Sequence, residues 1–246
     1  MSISLRDRPE KEIFQQSVRI TGILILVLWL IHATLWIFDI PPGIFGIFPR
    51  TARGLVGILT GPLVHGDIFH LISNSVPLLI LGVGFLYFYH KLAFEVFAWV
   101  YLTTGFWVWL LARESWHIGA SGLIYGIATF ILVSGIIRKN KRLLGFALIV
   151  LLLYGGFVYG FFPDKARPEV SWESHLLGSL CGFVLAIHYR KRKVIMDPSE
   201  EGDTDDIPDI KETKDGGESG IEYFSSPEGT KDGTYAYKYR HEDKKK

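Results

Sequence analysis

One stretch of the sequence is almost free of charge, and it constrains the fold more than any other feature. Between Phe69 and Ile137 the only charged side chains are Lys91, Glu95, Arg113 and Glu114. Soluble domains do not run so far with so few charges, because their surfaces need polar groups in contact with water. Hydrophobic residues make up 49% of the whole chain. We therefore predict an all-α integral membrane protein.

Six apolar stretches are long enough, or nearly so, to cross a ~30 Å hydrocarbon core as helices. They are residues 18–40, 67–90, 92–111, 121–137, 143–162 and 174–189. The fourth and sixth are short, which suggests that they begin below the membrane surface. Residues 41–68 are interrupted by Gly and Pro yet remain apolar, so we expect a partly embedded loop at the interface. The pattern predicts a bundle of six transmembrane helices.

Lys and Arg are distributed unevenly among the connections between these stretches. The termini and connections on one side carry twelve of them, and those on the other side carry five. Because Lys and Arg are enriched in cytoplasmic loops, both termini are expected in the cytosol. Residues 1–17 then form an N-terminal segment, 18–190 the membrane domain, and the polar residues 191–246 a disordered tail. We expect a multi-pass protein of the plasma (inner) membrane of a prokaryote.

The stretch from His117 to Gly126 places one serine, Ser121, at the entry to the fourth apolar stretch, next to a glycine. Glycine allows the backbone to approach a ligand or a neighbouring helix closely. The first turn of a helix also presents N–H groups that stabilise negative charge. Ser121 is therefore either a simple helix cap or a nucleophile, and partners elsewhere in the chain must decide between the two.

Four other polar residues lie within or beside the predicted spans, where polar groups are costly and are functional candidates. His70 and Asn74 are four residues apart near the start of the second span and share a helix face. His65 precedes them, and His175 opens the sixth span. Spans two, four and six all run inward from outside in the predicted topology. These groups and Ser121 are therefore expected at similar depth near the outer surface.

Two pairs of glycines, Gly122-x3-Gly126 in the fourth span and Gly178-x3-Gly182 in the sixth, follow the small-x-x-x-small pattern of close helix packing. If these two faces meet, Ser121 and His175 come within hydrogen-bonding distance. Tyr125, one turn below Ser121, would then lie against the imidazole.

These motifs resemble those of rhomboid intramembrane serine proteases over about residues 18–190. In order on spans two, four and six, they are His65-x4-His70-x3-Asn74, Gly119-Ala120-Ser121-Gly122 with Tyr125, and His175-x2-Gly178-x3-Gly182. Many members of this family carry a Trp-Arg pair in the first outer loop, where this chain has Val56-Gly57. The resemblance implies a six-helix core.

The resemblance also implies an endopeptidase that cleaves transmembrane helices near the outer membrane face without a metal or cofactor. His175 would take a proton from Ser121, and Tyr125 would orient the imidazole. Asn74, His70 and the Ser121 backbone N–H would stabilise the oxyanion. We expect no carboxylate to complete a triad, since Glu173 points away from His175 on the predicted helix. The supporting glycines are Gly119, Gly122, Gly126, Gly178 and Gly182, and for His65 a packing role is favoured.

Three other classes of function predict different features. A zinc-dependent hydrolase would use His65, His70 and His175, although the chain lacks a His-Glu-x-x-His helix. A transporter is expected to place its polar groups near the bilayer midplane, and here they lie near the outer surface. A catalytically silent relative that binds membrane clients would lack the serine or the histidine. The expected partners are the lipid bilayer and membrane-protein substrates, and neither terminus carries a nucleic-acid-binding signature.

Overall fold

The computed structural model describes residues 10–153, 159–163, 170–192 and 194. Regular secondary structure in these residues is helical, apart from one isolated antiparallel bridge between Ile47 and His117. The α-helices of this part of the chain are α1 (Glu10–Ile37), α2 (Ala52–Thr60), α3 (Ile68–Phe88), α4 (Ala93–Leu111), α5 (Ser121–Ile137), α6 (Lys141–Leu153) and α7 (Trp172–His188). The prediction of an all-α membrane protein is confirmed.

Three of the described helices, α1, α3 and α4, are long and apolar enough to cross a membrane on their own. Helix α5 is apolar but has only 17 residues, as expected for the short fourth span. Part of the predicted fifth span, residues 154–158, lies outside the described residues. The count of six spans therefore stays a prediction, and so does the orientation of the bundle.

Helix α5 lies at the centre of the fold. Twelve of its 17 residues are buried, and they lie on every side of the helix. A helix that is apolar all round is stable only when other helices or lipid tails surround it, and the burial of α5 means that its neighbours are helices. Helix α7 packs along one side of α5, and helices α3, α4 and α6 contact it elsewhere. Residues in the first turn of α5 are therefore positioned by a helix that packs against four others.

Helix α1 is the opposite case, because most of its apolar side chains are exposed. It packs mainly on α3, where the Trp29 indole N–H donates to the Ser75 hydroxyl over 3.1 Å. From residue 20 onward its remaining surface is mostly apolar, which suits contact with lipid tails. The helix begins at Glu10, within the segment 1–17 that was predicted as a separate N-terminal region. Residues 1–9 and 195–246, including nearly all of the predicted disordered tail, lie outside the described residues.

The connection between α1 and α3 is more ordered than the irregular loop predicted from its Gly and Pro content. It contains α2, a nine-residue helix whose first turn is capped by Thr51, which accepts from the Gly54 N–H over 3.1 Å. Gly57 faces the backbone of Gly46 so closely that any Cβ would overlap the Gly46 carbonyl. The prediction of a loop is wrong for residues 52–60. Backbone contacts at Gly54 and Gly57 pack this segment.

Candidate active site

Ser121 is the first residue of α5, and His175 lies in the first turn of α7. Their side chains meet, with 2.9 Å between Ser121 Oγ and His175 Nε2. Both residues are buried, with 6% and 7% of their surface exposed. The expected hydrogen-bonding distance between these two residues is confirmed. A hydroxyl and an imidazole in this arrangement can act as nucleophile and general base.

The imidazole of His175 is fixed by two further contacts. Its Nδ1 lies 2.8 Å from the carbonyl oxygen of Gly160, an acceptor only, so Nδ1 carries the proton and Nε2 is free to accept from Ser121. The Tyr125 ring stacks on the imidazole with 4.1 Å between centroids and 2° between planes. Tyr125 therefore lies where the sequence predicted it. The Gly160 carbonyl takes the position that an aspartate occupies in a catalytic triad.

Backbone contact between α5 and α7 brings the two residues together. A Cβ at Gly178 would overlap the carbonyl oxygen of Gly122, and one at Gly182 would overlap that of Gly126. Gly126 in turn has the Gly178 carbonyl oxygen at 3.0 Å from its Cβ position. The predicted meeting of the two glycine faces is confirmed. Because carbonyls cannot move aside as flexible side chains can, no larger residue fits at Gly178 or Gly182 without parting the helices.

His70 and Asn74 lie in the first two turns of α3, and His70 lies beside the turn that precedes Ser121. Gly119 has a φ of +99°, and a Cβ there would come within 2.6 Å of His70 Nε2, so only glycine fits this turn. Asn74 is buried, and its amide N–H donates to the His70 carbonyl over 2.8 Å. That bond uses one of the two amide protons. His70 therefore lies against the backbone just before Ser121, and Asn74 keeps a second donor.

His65 is fully buried and packs edge-on against His70, with 5.1 Å between ring centroids. Its Nε2 lies 3.5 Å from the backbone N of Ala120, which is a long contact. Burial, and secondarily the nearby His70 and His32 rings, lower the pKa of His65 to about 3. A neutral imidazole at this position supports the turn that precedes Ser121, in keeping with the predicted packing role.

Two features of the site carried no signal in the sequence. The first is the bond from His175 to the Gly160 carbonyl. Every residue has a backbone carbonyl, so no residue type marks the one that binds a histidine. The other is a contact between His117 and Ser171, whose Nδ1 and Oγ lie 2.6 Å apart. Glu173, which was expected to point away from His175, forms a 3.5 Å ion pair with Arg113.

The alternative of a zinc site gains no support from the geometry. In the described part of the chain, no three side chains of His, Cys, Asp or Glu are grouped so that they could hold a metal ion. His65, His70 and His175 are each oriented toward a different partner instead: the backbone at Ala120, the Gly119 turn and Ser121.

The sequence is similar to several mycobacterial proteins. It is 37% identical over 153 residues to the uncharacterized proteins Mb1372 of Mycobacterium bovis and Rv1337 of Mycobacterium tuberculosis, covering 57% of this chain and 62% of each relative. It is 37% identical over 140 residues to the uncharacterized protein ML1171 of Mycobacterium leprae, covering 54% of this chain and 55% of that relative. The chain thus spans about three fifths of the length of the curated relatives that it matches.

A family model described as the rhomboid domain matches residues 52–192. The match includes α2 to α7, and with them Ser121, His175, Asn74 and the four glycines of the α5–α7 contact. It covers more than half of the chain, and the chain therefore belongs to the rhomboid family.

Proposed function

We propose that this protein is an intramembrane serine endopeptidase that uses Ser121 as nucleophile and His175 as general base. The observation that carries the proposal is the 2.9 Å contact between Ser121 Oγ and His175 Nε2. This contact lies among buried apolar residues at the start of two helices. Ser121 does not act as a helix cap, because the N-cap position of α5 is Ala120 and Ser121 is the first helical residue.

In the proposed reaction, Ser121 Oγ attacks the carbonyl carbon of the scissile peptide while its proton passes to His175 Nε2. The protonated imidazole then gives this proton to the departing amine, leaving an acyl-enzyme that water hydrolyses. The Gly160 carbonyl stabilises the imidazolium through Nδ1–H, and the Tyr125 ring keeps the imidazole in plane. A positioned base of this kind contributes about 10²–10⁴-fold.

The tetrahedral intermediate carries a negative oxygen that needs donors. The backbone N–H of Ser121 lies at the first turn of α5, where the helix has unpaired N–H groups and a positive end. The second amide proton of Asn74 and the ring of His70 are the proposed side-chain donors. Each such donor stabilises the transition state by about 3 kcal/mol.

The proposed substrates are transmembrane helices of other membrane proteins. The site lies where α3, α5 and α7 begin, and the distribution of Lys and Arg assigns that end to the outer face of the membrane. A peptide bond within an intact helix has its carbonyl in an i to i+4 hydrogen bond. A substrate must therefore unwind locally, so helix-breaking residues near its outer end favour cleavage.

Labelling with a serine-directed fluorophosphonate tests this proposal. The purified protein should be labelled at Ser121 and should cleave a reconstituted single-pass test substrate, whereas Ser121→Ala should do neither. Gly145→Ala serves as a control for the substitution, because a Cβ at Gly145 meets nothing within 4 Å. If the wild-type protein binds the substrate but is neither labelled nor active, the chain is a client-binding member of the family.

A further inference from the structure

Four residues before each member of the proposed dyad, the chain makes a second side-chain contact. His117 precedes Ser121 by four positions, and Ser171 precedes His175 by four. His117 Nδ1 lies 2.6 Å from Ser171 Oγ. The first contact joins the segments that lead into α5 and α7, the second joins the first turns of these helices, and both are buried.

The partners of His117 fix its protonation and its tautomer. Its Nε2 lies 3.0 Å from the Arg113 carbonyl, which can only accept, so Nε2 carries the proton. Nδ1 then accepts from the Ser171 hydroxyl. Ser171 Oγ in turn accepts from the Ser174 hydroxyl, 2.6 Å away, and from the Ser174 N–H at 3.3 Å. Every polar atom of this short chain of hydrogen bonds has a partner.

Burial of His117 favours its neutral form. Its pKa is lowered, first by burial and then by the charge of Arg113, while the bond to the Arg113 carbonyl and the Glu173 carboxylate oppose that shift. These are the charged groups that face it, and they neutralise each other as an ion pair at 3.5 Å. The imidazole therefore acts at neutral pH as a hydrogen-bonding connector and not as a charge.

The backbone of His117 is held from a different direction. Its N–H and C=O both bond to Ile47 at 2.9 Å, forming the bridge to the connection between α1 and α3. Two residues later, the Gly119 N–H donates to the Gly61 carbonyl over 2.9 Å. The backbone is thus fixed to the α1–α3 connection, and the side chain is fixed to the start of α7.

We propose that His117 is a positioning residue that sets the distance between Ser121 and His175 through its hydrogen bond to Ser171. This inference rests on the proposed function and adds to it a residue that does not touch the substrate. The glycine contacts begin beside the dyad, where the Cβ position of Gly122 is 3.1 Å from the Ser174 carbonyl oxygen, but they do not include the turns that precede α5 and α7. Without the link at their N-terminal ends, Ser121 can shift relative to His175.

Two conservative variants separate the two hydrogen bonds of His117. In His117→Asn the amide oxygen can still accept from Ser171, whereas in His117→Gln the amide N–H₂ can still donate to the Arg113 carbonyl. The proposal predicts that His117→Asn keeps kcat within about threefold of wild type. His117→Gln and His117→Phe should lose about tenfold or more in kcat with little change in KM, because a misplaced dyad affects the chemical step.

A double-mutant cycle distinguishes a positioning role of His117 from a purely structural one. Since His117→Phe and Ser171→Ala break the same link, the double variant should lose about as much kcat as the worse single variant. Glu114→Gln, an exposed change in the same segment, should leave kcat unchanged. All rates are taken per molecule labelled by fluorophosphonate, and thermal unfolding in detergent reports the folded fraction.

The proposal is overturned if His117→Gln is as active as His117→Asn, or if the losses of the two single variants multiply in the double variant. It is also overturned if His117→Phe turns over at the wild-type rate per labelled molecule. These results are distinct from failure of the proposed function, which appears as undiminished cleavage by Ser121→Ala. If His117→Phe does not fold, the comparison of the Asn and Gln variants decides.

Discussion

The two ends of the α5–α7 pair are held together by different means. From the first turn of α5 onward, Gly178 and Gly182 lie against the carbonyls of Gly122 and Gly126, so that backbone meets backbone beside the N-terminal ends. At the C-terminal end, long polar side chains make the connections. Arg138 donates to the Tyr189 carbonyl over 2.9 Å, and the Tyr189 hydroxyl donates to Glu95 on α4 over 2.7 Å.

This difference shows where the fold needs accuracy. Backbone contact leaves no rotamers to adjust, so it fixes a distance to within a few tenths of an ångström. Long side chains can reach their partners from several backbone positions. The end that holds Ser121 and His175 has the rigid form of contact, as a proton transfer over about 3 Å requires. The other end has the tolerant form.

The largest effect is expected from the dyad itself. Ser121→Ala and His175→Ala should each lower cleavage of a transmembrane substrate by about 10⁴-fold or more, since each removes a group that the reaction needs. Both variants should remain folded in detergent, because neither change creates a large cavity. The measurement is single-turnover cleavage beside thermal unfolding. Normal turnover by either variant would show that the dyad is not the catalytic unit.

A methyl group placed in the rigid contact is expected to act without touching a catalytic atom. Gly178→Ala forces α5 and α7 apart at the Gly122 carbonyl, and misplacement of the dyad by ~1 Å costs on the order of 100-fold. Some loss of thermal stability should accompany it. Gly145→Ala on α6 is the matched control, because its Cβ has open space. Equal activity of the two variants would remove the argument that the glycine contacts help to set the distance between Ser121 and His175.

Asn74→Ala is expected to lower kcat by about 10–100-fold while changing KM little, because an oxyanion donor acts mainly in the transition state. The same change removes a donor to the His70 carbonyl, so unfolding should be measured alongside the kinetics. A higher KM with an unchanged kcat would instead assign Asn74 to substrate binding. Unchanged values of kcat and KM would mean that Asn74 serves only to form its hydrogen bond within α3.

The pH dependence of stability tests the packing of His65 beside the turn that precedes Ser121. The pKa of His65 is about 3 in the folded protein, against an ordinary value of 6.5. The unfolded chain therefore binds the proton more readily, and stability present above pH 6.5 is lost as the pH falls toward 3. At pH 5 the loss from His65 is about 2 kcal/mol. Thermal unfolding between pH 7 and 5 should show this slope, and His65→Gln should make it shallower without abolishing it, because the pKa of His117 is lowered too; an identical slope in that variant contradicts the assignment.

The smallest effect is expected at the tolerant end. Tyr189→Phe removes the hydroxyl bond to Glu95 but keeps the backbone carbonyl that accepts from Arg138. Cleavage should stay within about twofold of wild type, and the free energy of unfolding should fall by about 1 kcal/mol. A loss of activity greater than about tenfold would mean that the two ends of the helix pair do not differ in the way described.

The sequence anticipated the site better than it anticipated the surrounding connections. Gly122, Gly126, Gly178 and Gly182 recur at a spacing that one helix face requires, so the approach of α5 to α7 could be predicted. Helix α2 was missed because Gly54 and Gly57 lower helix propensity, while their close backbone neighbours supply the stabilisation only after folding. The start of α1 at Glu10 was missed because its first turns are polar and lie outside the apolar stretch.

The orientation of His175 by the Gly160 carbonyl has a consequence for genetic analysis. An alanine scan deletes side chains, but this acceptor belongs to the peptide unit and survives every coded substitution. Gly160→Ala would lose activity for another reason, since its Cβ would overlap the Tyr125 hydroxyl. A scan would therefore record a steric requirement at this position and overlook the electrostatic one. Replacing the amide that follows Gly160 by an ester, which weakens the carbonyl as an acceptor, separates the two.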